Sequence, residues 1–399
     1  MLFPNQADEL KDLPISRPYF GKEERAAVQE PLVSGWVVQG PKVAEFEAQF
    51  AEFTGAREAV ATTSCTTALH LSVVALGLSP GDEVIVPAFT WVSTANVVEY
   101  QGATPVFCDI QLETFNIDPS LVESLITERT VGIMPVHLFG LPAPMREIQE
   151  IADRHGLWIV EDAACAFGTR VSGRHVGTFG EAGCFSFHPR KSITTGEGGI
   201  LTTNDPALAS KARSMRDHGA SRSDFARHES RGSFRLADYD VLGFNYRMTD
   251  LQGALGCAQM QRADFILSER ARLAHGYQEK LQGLRWLCLP EEGEAEDHGW
   301  QAFVTTFAPE EPTLANSREL CEKRNQLMLK LEDEGIATRP GTHAVVETGL
   351  YSSLYDLKPE QFPNAHLAAA LSLALPLFPG MTEADLDRVA DALARHGAN

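Results

Sequence analysis

Short apolar runs alternate with amphipathic stretches along much of the chain. Between residues 20 and 55, GKEERAAVQEPLVSG and GPKVAEFEAQFAEFTGA carry apolar residues at helical spacing, and Gly55 supplies a stop signal. From residue 58 the period changes. EAVATT predicts a strand, TTALHLSVVALGL a helix, DEVIVP a strand and TWVSTANVVEYQG a helix. The alternation continues through TPVFCDI, PSLVESLI, TVGIMPVH, MREIQEIADRHG and LWIVED, and two further strands follow in GCFSFH and GGILTTN. Such a series predicts an α/β fold with an open, mostly parallel sheet and helices on both faces. Sheets of this kind bind ligands at the carboxyl ends of their strands. Chemistry is therefore expected from Thr63 and Ser64 onward, from Pro87 onward, and at Asp109, His137, Asp162 and His188 to Lys191.

After Asp250 the pattern becomes one long helical stretch, LQGALGCAQMQRADFILSERARLAHGYQEKL. Mixed strand and helix signals follow, ending in LALPLFP and the helix TEADLDRVADALARHG. This predicts a large domain over residues 1–255 and a smaller α+β domain over residues 256–399.

Composition narrows the function classes. The 399 residues are 44% hydrophobic and 22% charged, the balance of a globular protein. A formal net charge of −20 argues against nucleic acid or an anionic membrane surface as partner, because those surfaces are bound by dense Lys/Arg clusters. The cysteines at 65, 108, 165, 184, 257, 288 and 321 show no CxxC pair and no Cys/His ligand spacing, so no metal site is expected. Several lie in apolar runs, where a free thiol acts as a small hydrophobe, which suits a reducing compartment. The amino terminus, MLFPNQADELKDLP, lacks the pattern of a signal peptide, and no apolar stretch reaches membrane-spanning length. A cytoplasmic protein is expected.

Four features share one edge of the predicted sheet. TTSCTTALHL, residues 62–71, leads from a strand into a helix, and its hydroxyl residues and free N–H groups suit an anion, although taken alone the stretch favours ordinary N-capping by Ser64 or Thr66. In PAFTWVSTAN, Trp91 falls just past a strand end, where it either packs in the core or offers a stacking face. LWIVED ends in Glu161-Asp162, either a solvated strand end or an acid held against a cation. Lys191 stands in SFHPRKSITTGEGG; alone it would be an exposed loop lysine, but the clustered glycines mark closely approached backbone. An anion cradle, an aromatic, an acid and an amine together are what pyridoxal phosphate (PLP) requires. GTFGEAG, residues 177–183, has glycines at GxxGxxG spacing but does not open a helix after a strand, so it is set aside as a dinucleotide motif.

VEDAACAFG, SFHPRKSITTGEGG, GFNYRMTDLQGALG and SGWVVQGPKVAEFEAQFA resemble the DegT/DnrJ/EryC1/StrS family of sugar aminotransferases, PLP enzymes of fold type I, from about Gly35 to LALPLFPGMT. The resemblance implies that Lys191 is the Schiff-base lysine and proton carrier, Asp162 the partner of the pyridinium nitrogen, and Trp91 the stacking aromatic. It implies phosphate binding by Cys65, Thr66 and Ser186, and by Asn245 from a neighbouring subunit, hence a homodimer with shared active sites. His188, Arg247 and His343 fall in segments that resemble substrate-contacting ones. Two positions depart from the family. Cys65 stands where many members have Gly, and Cys165 stands where His or Gln is common, near the cofactor's phenolic oxygen. A thiol is a weak hydrogen-bonding group, and Cys165 is expected to be a small buried packing residue rather than a nucleophile. Burial beside a cofactor cation is expected to depress the Lys191 pKa.

The implied activity is transamination from an amino acid, L-glutamate in most of the family, to a nucleotide-linked 3- or 4-keto-deoxysugar. A sugar dehydratase of the same family would carry His in place of Lys191. A non-catalytic regulatory relative would have no need of the intact Lys191, Asp162 and Thr66 set. A nucleotide-dependent oxidoreductase lacks its glycine fingerprint.

Overall fold

The computed structural model describes residues 12–221, 237–293 and 296–397. Its central sheet has seven strands: β1 Glu58–Thr62, β2 Glu83–Pro87, β3 Thr104–Cys108, β4 Thr130–Ile133, β5 Trp158–Asp162, β6 Ala182–Ser186 and β7 Gly199–Thr203. They lie in the order β1-β7-β6-β5-β4-β2-β3. The pairs among β2 to β6 are parallel, whereas β7 runs antiparallel to both β6 and β1. The reversal follows from the connection. Residues 187–198 form a loop with no crossover helix, and a parallel return requires a long crossover. EVIVP and GILTT are buried at every position, as strands covered on both faces must be.

Two predicted elements are shorter than their apolar runs. TVGIMPVH leaves the ladder after Ile133, because Pro135 has no N–H to donate. Pairing resumes beyond the proline, where Asp162 N donates to Pro135 O and His137 N to Asp162 O. The long helical stretch after Asp250 divides into Asp250–Met260 and Ala263–Leu281. The first half packs on the Pro41–Thr54 helix through Gly253 and Gly256, where a Cβ would press on the Lys42–Val43 backbone and the Phe46 ring. The second half turns away and buries Leu273, Ala274, Tyr277 and Leu281 in a separate apolar cluster.

That cluster surrounds a three-stranded antiparallel sheet: β8 Leu287–Cys288, β9 Phe303–Phe307 and β10 Ser372–Leu375. Leu13 is buried in the same cluster, and its backbone bonds to Gly335 O and Ala337 N. One segment ties the two sheets together. Arg339 and Ala374 exchange backbone hydrogen bonds, Gly341 N donates to Ser372 Oγ, and His343–Ala344 pairs with Phe89–Thr90 just beyond β2. No helix among the described residues is long and apolar enough to cross a membrane.

Candidate active site

At the carboxyl ends of the strands lies a cavity of about 320 Å³. Each predicted feature on its wall is positioned by a local structural cause. The helix Cys65–Leu76 begins there, capped by Ser64, whose Oγ accepts from Thr67 N at 3.2 Å. The N–H groups of Cys65 and Thr66 precede the first intrahelical acceptors and face the cavity end of the helix dipole. Gly199 of β7 lets the strand pass this terminus: a Cβ there would overlap the Ser64–Cys65 peptide. Ser186, the last residue of β6, also lines the cavity, with its Oγ accepting weakly from His188 N.

Asp162 ends β5 and is 3% exposed. Its Oδ2 accepts from Thr94 Oγ1 at 2.8 Å and its Oδ1 from Ala164 N at 3.1 Å. Burial raises its pKa, and those two bonds, Lys191 and His137 offset this only in part. The pocket therefore holds a carboxylate whose charge wants a cation beside it.

Lys191 follows β6 through a turn in which its N donates to His188 O at 2.8 Å. Its Nζ donates to Cys165 Sγ at 3.0 Å. One expectation is corrected here. Cys165 is half-buried and lines the cavity against the lysine, rather than packing as a small buried residue, because the turn after Asp162 faces the open strand ends. Burial pulls the Lys191 ammonium down, but Cys165, Cys65 and Asp162 outweigh it, and the pKa stands above the ordinary lysine value. The groups facing the amine are thiols and a carboxylate, so its charged form is favoured.

Trp91 is 52% exposed at the mouth, with its ring edge-on to His343 at 5.6 Å. His188 lines the cavity, and burial with Arg190 and Lys191 nearby lowers its pKa despite Glu197. Cys65, Thr66, Trp91, Asp162, Cys165, Ser186, His188 and Lys191 thus share one cavity. Asn245 and Arg247 do not line it. Asn245 is exposed and its backbone bridges Asp217, and Arg247 Nη1 contacts Asp217 Oδ1 at 2.5 Å. His343 lines an adjoining cavity.

Sequence reasoning missed Thr94 and the partners of Glu161. Thr94 lies in the first turn of the helix that begins at Ser93, with its hydroxyl 3.1 Å from that of Thr90 at the preceding strand end, and nothing local in the sequence marks it. Glu161 points to the opposite face of β5 from Asp162, as strand alternation requires. It is 0% exposed and accepts from Gly177 N, Phe179 N and Gly180 N, with His137 Nε2 at 3.0 Å. His137 Nδ1 accepts from Ala143 N, so Nε2 carries the proton and donates to Glu161. The glycine-rich GTFGEAG is therefore a carboxylate cradle that locks the strand beneath the site.

Residues 18–394 match the DegT/DnrJ/EryC1/StrS aminotransferase family. The chain belongs to that family. It is 40% identical to the spore coat polysaccharide biosynthesis protein SpsC of Bacillus subtilis (strain 168), over 96% of each chain. The PLP-form of the putative sugar aminotransferase Spr1654 from Streptococcus pneumoniae superposes with a TM-score of 0.88 at 27% identity, covering 97% of this chain and 98% of that one. DesV of S. venezuelae, solved in complex with a ketimine intermediate, gives 0.84 at 33% identity, covering 97% and 99%. This DegT/DnrJ/EryC1/StrS member is a PLP-dependent sugar aminotransferase of fold type I. Its cavity fits that cofactor: a helix amino terminus for an anion, a buried carboxylate lacking a full counter-charge, and a primary amine share one wall.

Proposed function

We propose that this enzyme moves the amino group of L-glutamate to a nucleotide-linked 3- or 4-keto-deoxysugar. The observation that carries the reading is the placement of Lys191 Nζ in the same cavity as the buried Asp162 and the Cys65–Thr66 helix terminus, in a chain of a sugar-aminotransferase family. Bound PLP supplies a carbonyl that accepts amines and an electron sink for the carbon that loses its proton. Cys65 N, Thr66 N and Ser186 would hold its phosphate, Trp91 would cover its ring, Asp162 would keep the ring nitrogen protonated and Lys191 would anchor it covalently. Freed from that anchor, Lys191 Nζ would take a proton from the donor's α-carbon and return it to the cofactor carbon on the other side of the nitrogen, working as base and then acid. His188, neutral near pH 7 by the direction of its shift, is available to hydrogen-bond a sugar hydroxyl. Thr94 and Ala164 orient Asp162 for its part.

The test is a screen of keto-sugar nucleotides against the glutamate-loaded enzyme, following 2-oxoglutarate release. Production of 2-oxoglutarate with no acceptor aminated would overturn the acceptor assignment, and no 2-oxoglutarate would overturn the donor. The shared site is tested separately. Asn245 stands outside the cavity of its own chain, which supports its serving a second subunit. Mixed Lys191→Ala and Asn245→Ala chains should then regain activity that neither has alone; no recovery on mixing argues for independent sites.

A further inference from the structure

The segment from Arg339 to Ala344 separates two cavities. On one side lies the space of about 320 Å³ that holds Lys191, and on the other a space of about 540 Å³ lined by Thr342, His343, Glu347 and Thr348. Arg339 and Thr342 line both. Both volumes fall in the range of small-molecule sites. A substrate larger than the inner cavity would run past Arg339.

Arg339 is held there firmly. Its backbone exchanges hydrogen bonds with Ala374 of β10, and the residues that follow are pinned by Ser372 Oγ and by the pairing with Phe89–Thr90. The guanidinium itself is nearly free. Nε donates to Pro340 O at 3.3 Å, and neither Nη has a partner among the described residues. Elsewhere in this acidic chain, arginines such as Arg213, Arg216 and Arg262 rest on glutamates. Arg190, on the inner cavity, also has no carboxylate partner among the described residues, and its carbonyl accepts from Gln301 Nε2 at 2.9 Å. Of the acids nearby, Glu347 is engaged by His366 Nδ1 at 2.7 Å, and Glu197, exposed on the lining of the inner cavity, is ion-paired to neither arginine among the described residues. A half-buried guanidinium with its fork unspent, in a chain of net charge −20, fits an oxyanion that takes both Nη donors at once.

We propose that Arg339, seconded by Arg190, is an oxyanion subsite at the junction of the two cavities. The phosphate of the acceptor and the carboxylate of the donor share this chemistry. The outer cavity favours the phosphate, because a nucleotide-linked sugar with its ring at Lys191 would extend through that junction. The inference rests on the nucleotide-sugar reading.

The experiment uses PLP-loaded wild type, Arg339→Gln and Arg339→Lys, checked for equal thermal unfolding. UDP, dTDP and GDP binding is measured by calorimetry, and the half-reaction with L-glutamate is followed by the loss of the PLP absorbance. Arg339→Gln should weaken the preferred nucleoside diphosphate at least about tenfold, with Arg339→Lys between it and wild type, because the charge returns without the fork. A loss confined to the glutamate half-reaction would assign the subsite to the donor's carboxylate. Unchanged behaviour in both arms overturns the proposal. A wild type that binds no nucleotide and aminates no keto-sugar nucleotide overturns the proposed acceptor instead, and the subsite then stands or falls on the glutamate arm.

Discussion

Asp162 illustrates a residue kept at the expense of the fold around it. Its pKa is raised by burial, so ionising it opposes folding, and that cost grows as pH rises through the carboxylate range. Asp162→Asn removes the charge, keeps an oxygen that accepts from Ala164 N, and turns its NH2 to Thr94 Oγ1, a hydroxyl that can accept. Without cofactor the variant should be at least as stable as wild type at pH 7.5, with the advantage vanishing near pH 4 by urea denaturation. Turnover should nonetheless fall by about 10²-fold or more, the scale on which positioned charges act in active sites. A variant that unfolds more readily at pH 7.5 would contradict this account. Lys191 carries the opposite sign. Its charged form is favoured, and only the neutral amine attacks a carbonyl, so cofactor uptake should accelerate as pH rises. Cys165→Ala removes the nearest group that favours the ammonium, 3.0 Å from Nζ. Uptake should then be faster at neutral pH, which stopped-flow absorbance at about 400–430 nm measures directly. An unchanged pH profile would show that the thiol does not govern the amine.

At the scale of elements, the site depends on how closely one helix end and one strand approach. Gly199 has no Cβ, and any Cβ would overlap the Ser64–Cys65 peptide. Gly199→Ala must push the helix terminus from the strand end, so PLP affinity should drop at least about tenfold in a fluorescence titration, an amount worth ~1.4 kcal/mol. The secondary structure should be unchanged by circular dichroism. Helix and strand positions were readable because burial imposes a period. EVIVP and GILTT are mostly apolar, and the Ser64 cap stands just before the Cys65 helix. Lys191, Asp162 and the Ser64–Thr66 turn were readable too, since strand ends in such sheets converge. Thr94 was not, because nothing local distinguishes a helix threonine that meets a strand end from one that does not. Arg339 was hidden for a different reason. Its place depends on pairing with Ala374 and on His343 pairing with Thr90, and neither partner is close in sequence. The GTFGEAG loop was rightly refused as a dinucleotide motif, but only the buried Glu161 on the far face of β5 reveals what its N–H groups are for.

For the whole molecule, acid sensitivity should be traceable to buried imidazoles that the fold holds neutral. His175 Nε2 accepts from Gly168 N, and its Nδ1 donates to Val176 O at 2.6 Å, so both nitrogens are committed to one tautomer. Burial lowers its pKa to about 4. The unfolded chain binds that proton near pH 6.5, so the stabilisation is complete above that pH and is lost as pH falls towards 4. His175 alone should contribute roughly 3 kcal/mol to the loss of unfolding free energy between pH 7 and 4. In His175→Gln the urea-unfolding curve should depend on pH by about one proton less over that range; an equal slope would place the sensitivity elsewhere. The connection between the two sheets has a temporal consequence. Synthesis delivers Lys191, Asp162 and the helix terminus long before the Arg339–Ala344 segment, and that segment in turn waits for Ser372 and Ala374. Leu13, among the first described residues to leave the ribosome, finds Gly335 and Ala337 only then. A nascent chain can therefore assemble the floor of its active site while the wall toward the second cavity is still unmade, and firm capture of cofactor and substrate waits on the later-made segment.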